Sequence, residues 1–190
     1  MFWITNPAYF FNMQSFRYTQ DTIDAELKKS KEDFILHFRS AYTDDYPPAW
    51  MIAEILPLGL LCRIYTNLKD NVIKKRVAQH FGLQVPVFSS WIVILAGLRN
   101  MCCHHCRTWN RELATITTEP RRTKYGWIDS SRTDKRRMYY RICMIRYFLY
   151  TVSPNNNFKD KLKTLLAAYP NIDTAAMGFP SDWESEDIWK

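Results

Sequence analysis

The run Leu98-Arg99-Asn100-Met101-Cys102-Cys103-His104-His105-Cys106-Arg107-Thr108-Trp109-Asn110-Arg111 gathers two histidines, three arginines and two asparagines at one end of an apolar stretch. Histidine moves a proton near neutral pH, and arginine grips a phosphate through paired N–H donors without losing its charge. If the run is helical, Asn100, His104 and Arg107 fall at i, i+4 and i+7 and share one face. Arg99 lies about 100° away but is long enough to swing onto it. These are the parts of a minimal phosphodiester-cleaving site. His105, Arg107 and Asn110 are supporting candidates. The competing structural reading is a buried polar network in which Asn100, His104 and Arg107 fix helix packing.

The element that must carry this cluster starts upstream. Trp91 to Leu98 is eight consecutive apolar or small residues, so a core helix is expected from Pro86 or Ser89 to about Trp109. Trp109 itself suits either stacking on a base or a core or interface position. Three of the five cysteines, Cys102, Cys103 and Cys106, flank the histidines and raise the question of zinc. Neighbouring residues on a helix point about 100° apart, which does not suit a tetrahedral site, so no metal and no cofactor is expected. Cys62 and Cys143 stand alone among apolar residues and read as small core side chains.

With only five glycines and no Asn-Gly or Asp-Gly hairpin signal, the chain reads as all-α. A first helix is expected with Asp21 as its cap over Thr22 to Tyr42, turning Ile23, Leu27, Phe34, Ile35 and Phe38 inward. Trp50–Leu56 and Leu58–Asn67 form a pair broken at Pro57-Leu58-Gly59. Asp70 caps a short helix that closes at Gly82. A loop from Thr115 to Ser131 precedes a long helix, capped by Thr133 or Asp134 and running to about Val152, with Met138, Ile142, Ile145 and Leu149 buried. The last helix is Phe158 to Ala168. By length the chain is one compact body, divided here into an N-terminal segment 1–20, a helical domain 21–170 and an acidic, aromatic tail 171–190.

The net charge is +7, yet residues 171–190 hold five acids and one lysine, so the first 170 carry +11. Nine basic residues lie between Arg121 and Arg146, against Asp129 and Asp134. Arg121, Arg122, Lys124, Arg132, Lys135, Arg136, Arg137 and Arg141 are therefore candidates for holding an RNA backbone, since neutralised phosphates release counterions. A solvated helix face is the plain alternative. No stretch of roughly 18 apolar residues suggests a membrane span, and the aromatic start has no positive n-region, so a cytoplasmic protein without membrane contact is expected.

The motif also carries a resemblance. Arg99-Asn100-x-x-x-His104 resembles the Arg-x(4 to 6)-His signature of the HEPN superfamily, helical ribonucleases and nucleotide-binding proteins. The longer segment Leu98-Arg99-Asn100-x-Cys102-x-His104-His105-x-Arg107-x-Trp109-Asn110-Arg111 is similar to that of the Abi-like abortive infection proteins, AbiD/AbiF type, of bacterial phage defence. Further stretches agree in order: Ser30-Lys31-Glu32-Asp33-Phe34-Ile35-x-His37-Phe38, Pro47-Pro48-Ala49-Trp50-Met51-Ile52-Ala53-Glu54, Leu68 after Tyr65-Thr66-Asn67, and Met177-Gly178-Phe179-Pro180-x-Asp182-Trp183. The resemblance spans roughly residues 2–189. Cys103 departs from it, where the family commonly has alanine. Members also usually carry an additional helical N-terminal region with a Tyr-Tyr-Arg-Leu type motif. Phe2-Trp3 to Phe11 resembles the middle of such a protein, so residues 1–20 are expected to be the remnant of that region.

The resemblance implies a HEPN-like helical bundle with additional helices. It also implies metal-independent RNA cleavage in which the ribose 2′-OH attacks the adjacent phosphate, leaving a 2′,3′-cyclic phosphate and a 5′-OH. His104 would be the general acid or base, with His105 the less favoured candidate. Arg99 would stabilise the phosphorane, and Asn100 would orient one of them. One motif per chain implies a composite site across a homodimer. RNA is the expected partner, together with an antitoxin or a phage-derived trigger. Two rivals stay open: a catalytically silent HEPN-like module that binds nucleotides or proteins in a toxin-antitoxin or phage-sensing system, and zinc-dependent hydrolysis.

Overall fold

The computed structural model describes residues 3–190; Phe2 of the resemblance lies outside the described residues. The fold is all-α, with α1 Met13–Lys29, α2 Asp33–Ala41, α3 Ala49–Ile55, α4 Leu58–Asn67, α5 Asn71–His80, α6 Val85–Cys103, α7 Met138–Val152 and α8 Phe158–Ala168. Short 3-10 turns lie near both ends, and no β-strand occurs among the described residues. Length predicts one body, but the chain forms two compact units, Met1–Lys74 and Lys75–Lys190, that divide within α5.

The first unit is a small helical bundle around Phe10, Phe16, Ile23, Leu27, Ile35, Ile52, Leu60 and Ile64. The helix expected from Asp21 to Tyr42 is two helices. α1 starts nine residues earlier than expected, where the Asn12 side chain accepts from the Ser15 amide at 2.8 Å. It stops at Lys29, and Ser30 and Glu32 are extended. Ile23, Leu27, Ile35 and Phe38 are buried as expected, and Phe34 is half-buried. The expected break at Pro57 separates α3 from α4. Residues 9–12 are tied down from α4. Asn67 accepts from the Asn12 amide at 2.8 Å and donates to its carbonyl at 3.0 Å, while the Phe11 and Lys69 amides complete a bridge between Phe10 and Leu68. Asp70 caps α5 through the Val72 and Ile73 amides, and Gly82 follows it with φ +68°, both as expected.

The second unit is built on α6 and α7. α6 has 19 residues and a mean hydropathy of 1.4, so by length and composition it could span a bilayer, which the sequence reading did not anticipate. In this fold it is a packing helix: Val87, Phe88, Trp91, Ile94, Ala96 and Leu98 are buried. The Trp91 indole packs against Trp127 with ring centroids 4.7 Å apart and the planes tilted by 33°, meets Tyr147 and Phe148 edge-on, and donates to the Thr118 carbonyl at 3.0 Å. Such pairs add roughly 0.5–1.5 kcal/mol each beyond the area they bury.

α7 begins at Met138 rather than near Asp134. The Asp134 carboxylate accepts from the Arg136 amide at 2.8 Å, closing a local turn instead of capping a helix. Orphan donors at the helix start find another partner in the Met177 carbonyl, which takes the Tyr139 amide at 2.9 Å. Met138 is buried as expected, but Ile142, Ile145 and Leu149 are only half-buried. The fully covered face is Tyr139, Tyr140, Cys143, Met144 and Tyr147: the C-terminal segment packs on Tyr139, while Trp127 covers Tyr140 and, with Trp91 and Tyr125, Tyr147. Phe179 lies 4.5 Å from Tyr139, and Trp189 donates to its hydroxyl at 3.0 Å. The acidic, aromatic tail is thus folded core: Ile188 and Trp189 are buried. Cys62 and Cys143 are buried as expected, and α8 spans the residues expected for it.

Glu186 accepts from the Tyr139 hydroxyl within this C-terminal core, and burial raises its pKa. A raised folded-state pKa means that the native chain holds this proton more tightly than the unfolded chain does. The contribution to stability is then full at low pH and is lost as pH rises through the folded value. Melting curves across the acid-to-neutral range should show Glu186→Gln gaining on the parent as pH rises; a constant difference would contradict this assignment.

Candidate functional site

The motif sits where α6 ends. Cys103 is the last helical residue, His104 is the C-cap and His105 has φ 53°, in the left-handed region. The His105 amide donates to the Cys102 carbonyl at 3.1 Å and the Cys106 amide to the Met101 carbonyl at 2.9 Å. These are the two bonds of a Schellman turn, which normally has glycine where His105 stands. The helix therefore ends six residues before Trp109. Arg107 lies beyond the turn and does not continue the helical face of Asn100 and His104, so the expected three-residue face is reduced to two residues. This turn could not be read from the residue types, since no glycine or asparagine marks it.

Arg99, Asn100, His104, His105, Arg107, Asn110 and Arg111 are all exposed, which excludes a buried polar network as their role. The Arg99 guanidinium donates to the Asn100 side-chain oxygen at 3.3 Å, so the pair is pre-oriented on the last turn of α6. The C-terminal end of a helix carries partial negative charge, so an anion there is held by side chains rather than by backbone amides. Arg99, Arg107 and Arg111 are exposed cations on this segment, and the exposed His104 has the side-chain type that can give or take a proton. Trp109 is 44% exposed and so lies outside the core of this chain. Cys102, Cys103 and Cys106 are exposed free thiols, and among the described residues no group of three or more His, Cys, Asp or Glu side chains is placed to hold a metal ion.

The chain after the turn doubles back along residues 135–141. Asn110 accepts from Arg137 at 3.4 Å, Glu112 pairs with Arg136 at 2.6 Å, and the Leu113 amide donates to the Arg136 carbonyl at 2.9 Å. Further along, Glu119 pairs with Lys135 and the Thr115 carbonyl accepts from Arg141. Asn110 is thereby fixed by a loop contact rather than by the motif helix.

These contacts also reassign the basic stripe. Arg132 is bound to Asp182, Lys135 to Glu119, Arg136 to Glu112 and Arg137 to Asp134. Arg141, expected to bind RNA, is 0% exposed and cannot touch a backbone in this state. Arg146 is buried over the Tyr150 ring, at 4.3 Å. What stays exposed without an ion-pair partner among the described residues is Arg121, Arg122 and Lys124, the last lying 5.0 Å over Tyr125. Exposed ion pairs are individually weak, so the paired residues could still be recruited, but the stripe's first task is to anchor the loop.

Because His105 adopts a conformation that costs a side chain about 1 kcal/mol, His105→Gly should raise the melting midpoint by about 2–4 °C. If the midpoint falls instead, the imidazole makes a contact that offsets the strain.

Residues 1–110, more than half of the chain, match the family described as Abi-like protein, and the matched span closes at Asn110, just past the motif. The stretch from Met177 to Trp183 that also resembles the family lies beyond it. No curated relative and no solved structure matches the chain. A match of that extent, ending on the Arg99 to Asn110 segment, shows that the chain belongs to the Abi-like family of abortive infection, phage-defence proteins.

Proposed function

We propose that this protein is a cytoplasmic, metal-independent endoribonuclease of the HEPN type, within the AbiD/AbiF group, that acts in phage defence by cutting RNA. The observation that carries the reading is the exposed Arg99–Asn100 pair on the last helical turn, with His104 as the C-cap of the same helix. Arg99 contacts a non-bridging phosphate oxygen and takes up the charge that grows as the 2′-OH attacks. Asn100 holds the guanidinium in place. His104 either removes the 2′ proton or delivers one to the leaving 5′ oxygen; the other transfer falls to a second imidazole.

That division of labour favours a homodimer, in which the α6 ends of two copies complete one site. His105, offset by the Schellman turn, serves as the second imidazole only if the dimer brings it round. Arg107 and Arg111 beside the motif, with Arg121, Arg122 and Lys124, hold the flanking RNA backbone. An antitoxin or a phage-derived trigger would act by covering or assembling this end of α6.

The catalytically silent binding module remains the second reading, and it draws on the pairing of Arg132, Lys135, Arg136 and Arg137 within the chain, which leaves fewer free cations for RNA. The two part company on point variants. All three motif side chains are exposed, so Arg99→Ala and His104→Ala should keep the parent's melting midpoint. Each should lose RNA cleavage in EDTA by about 10²-fold or more, a typical loss for a proton-transfer or oxyanion-stabilising group. Asn100→Ala should lose less, since it acts through Arg99. Equal cleavage by parent and His104→Ala would reject the reading.

A further inference from the structure

A cavity of about 380 Å³ opens beside the motif, between one face of α6 and the segment Arg111–Thr115, and the reaction above makes no use of it. Val93, Gly97 and Met101 form its helical wall, Leu113 faces them, and Arg141 forms the floor. The volume is in the range of small-molecule sites.

Two independent features distinguish it from a packing fault. The first is Arg141. Its guanidinium is fully buried, donates to the Thr115 carbonyl, has only the Met144 sulfur at 3.9 Å near a second nitrogen, and leaves Nε with no acceptor. No carboxylate pairs with it among the described residues. The nearby Glu112 is bound to Arg136 and Asp134 to Arg137. A buried charge without a counter-ion is strongly disfavoured, and burial correspondingly pulls its pKa below the usual arginine value.

The second feature is Gly97. It stands inside α6, where glycine is less favourable than alanine, and a Cβ built there meets nothing within 4 Å. No neighbour in the chain requires the missing side chain. The absent side chain leaves the α6 backbone open to close approach by another molecule.

We propose that this cavity binds a small organic anion, with its phosphate or carboxylate directed to Arg141 and Arg111 and its apolar body lying along Val93, Gly97 and Leu113. The anion supplies the acceptor that Nε lacks and the negative charge that the floor lacks, while the body fills the open wall. The Thr115 carbonyl covers the guanidinium in the unliganded state, so entry displaces the Arg111–Thr115 segment. That segment is held at the surface by the Glu112–Arg136 pair and the Leu113 amide. The inference does not depend on RNA cleavage: Arg111 alone is shared with the proposed RNA contacts, and binding is read without substrate RNA.

The test is titration of the full chain with AMP, octanoate and inorganic phosphate, followed by calorimetry and amide chemical shifts. At least one of AMP and octanoate should bind saturably, and whichever does identifies the source of the anion. Inorganic phosphate, lacking the apolar body, should bind about tenfold more weakly or worse. Gly97→Leu projects a side chain into the cavity from a position whose Cβ meets nothing within 4 Å, and should abolish binding while leaving the melting midpoint unchanged or higher. Arg141→Met should weaken binding at least about tenfold; if that variant does not fold, Gly97→Leu decides. Absence of saturable binding by both organic anions overturns the proposal, as does binding to Gly97→Leu equal to the parent's. Failure of both anions together with a change of oligomeric state in Gly97→Leu would give the wall to a second copy of the chain.

Discussion

The second unit depends on the burial of Trp91. One indole on α6 is enclosed by Trp127 from the long loop and by Tyr147 and Phe148 from α7, and its N–H is spent on the Thr118 carbonyl of the same loop. The loop from 104 to 137 has no regular structure to hold it. It stays in place because Trp91 fixes its middle, Asn110, Glu112, Thr115 and Glu119 clasp the region of Lys135 to Arg141, and Glu186 with Trp189 lock the start of α7 from the other side. Such a loop gains little from its own backbone hydrogen bonds, so side-chain anchoring must offset its ordering entropy.

From that anchor the placement of the motif follows. Trp91 sets the depth of α6, so one face of its apolar turns is buried while Arg99, Asn100 and His104 at its end stand in solvent. The Schellman turn then sends the chain sharply away, leaving the helix end uncovered. It does so with a histidine in the left-handed conformation, where glycine would be easier. Local strain kept at an exposed position beside an Arg/His pair is consistent with a working site rather than a packing feature.

Much of the fold was legible where the signal was local. Pro57 marked the break between α3 and α4, Asp70 and Gly82 bracketed α5, and the period of Phe158 to Ala168 gave α8. The misreadings have two causes: some helix ends carry no marking residue, and elsewhere the deciding contact lies far along the chain. The break at Ser30–Glu32 carries no proline or glycine. The start of α7 is set by Met177, and the cations of the basic stripe are claimed by acids 16, 24 and 50 residues away, at Glu119, Glu112 and Asp182. A count of charges sees nine basic residues in one segment, but it cannot see that the fold neutralises four and buries two. The candidate site was legible as residue types, and its exposure was not, because residue types alone do not reveal where a helix ends.

In the proposed reaction Arg99, Asn100 and His104 assist attack by the ribose 2′-OH on the adjacent phosphate. The most direct test pairs an RNA oligonucleotide with the same oligonucleotide carrying a single 2′-deoxy nucleotide at the cleaved position, both in EDTA, with the product ends identified by mass. The account predicts 2′,3′-cyclic phosphate and 5′-OH ends from the first and no cut at that position in the second. Cleavage of the 2′-deoxy position, or ends bearing a 5′-phosphate, would contradict it.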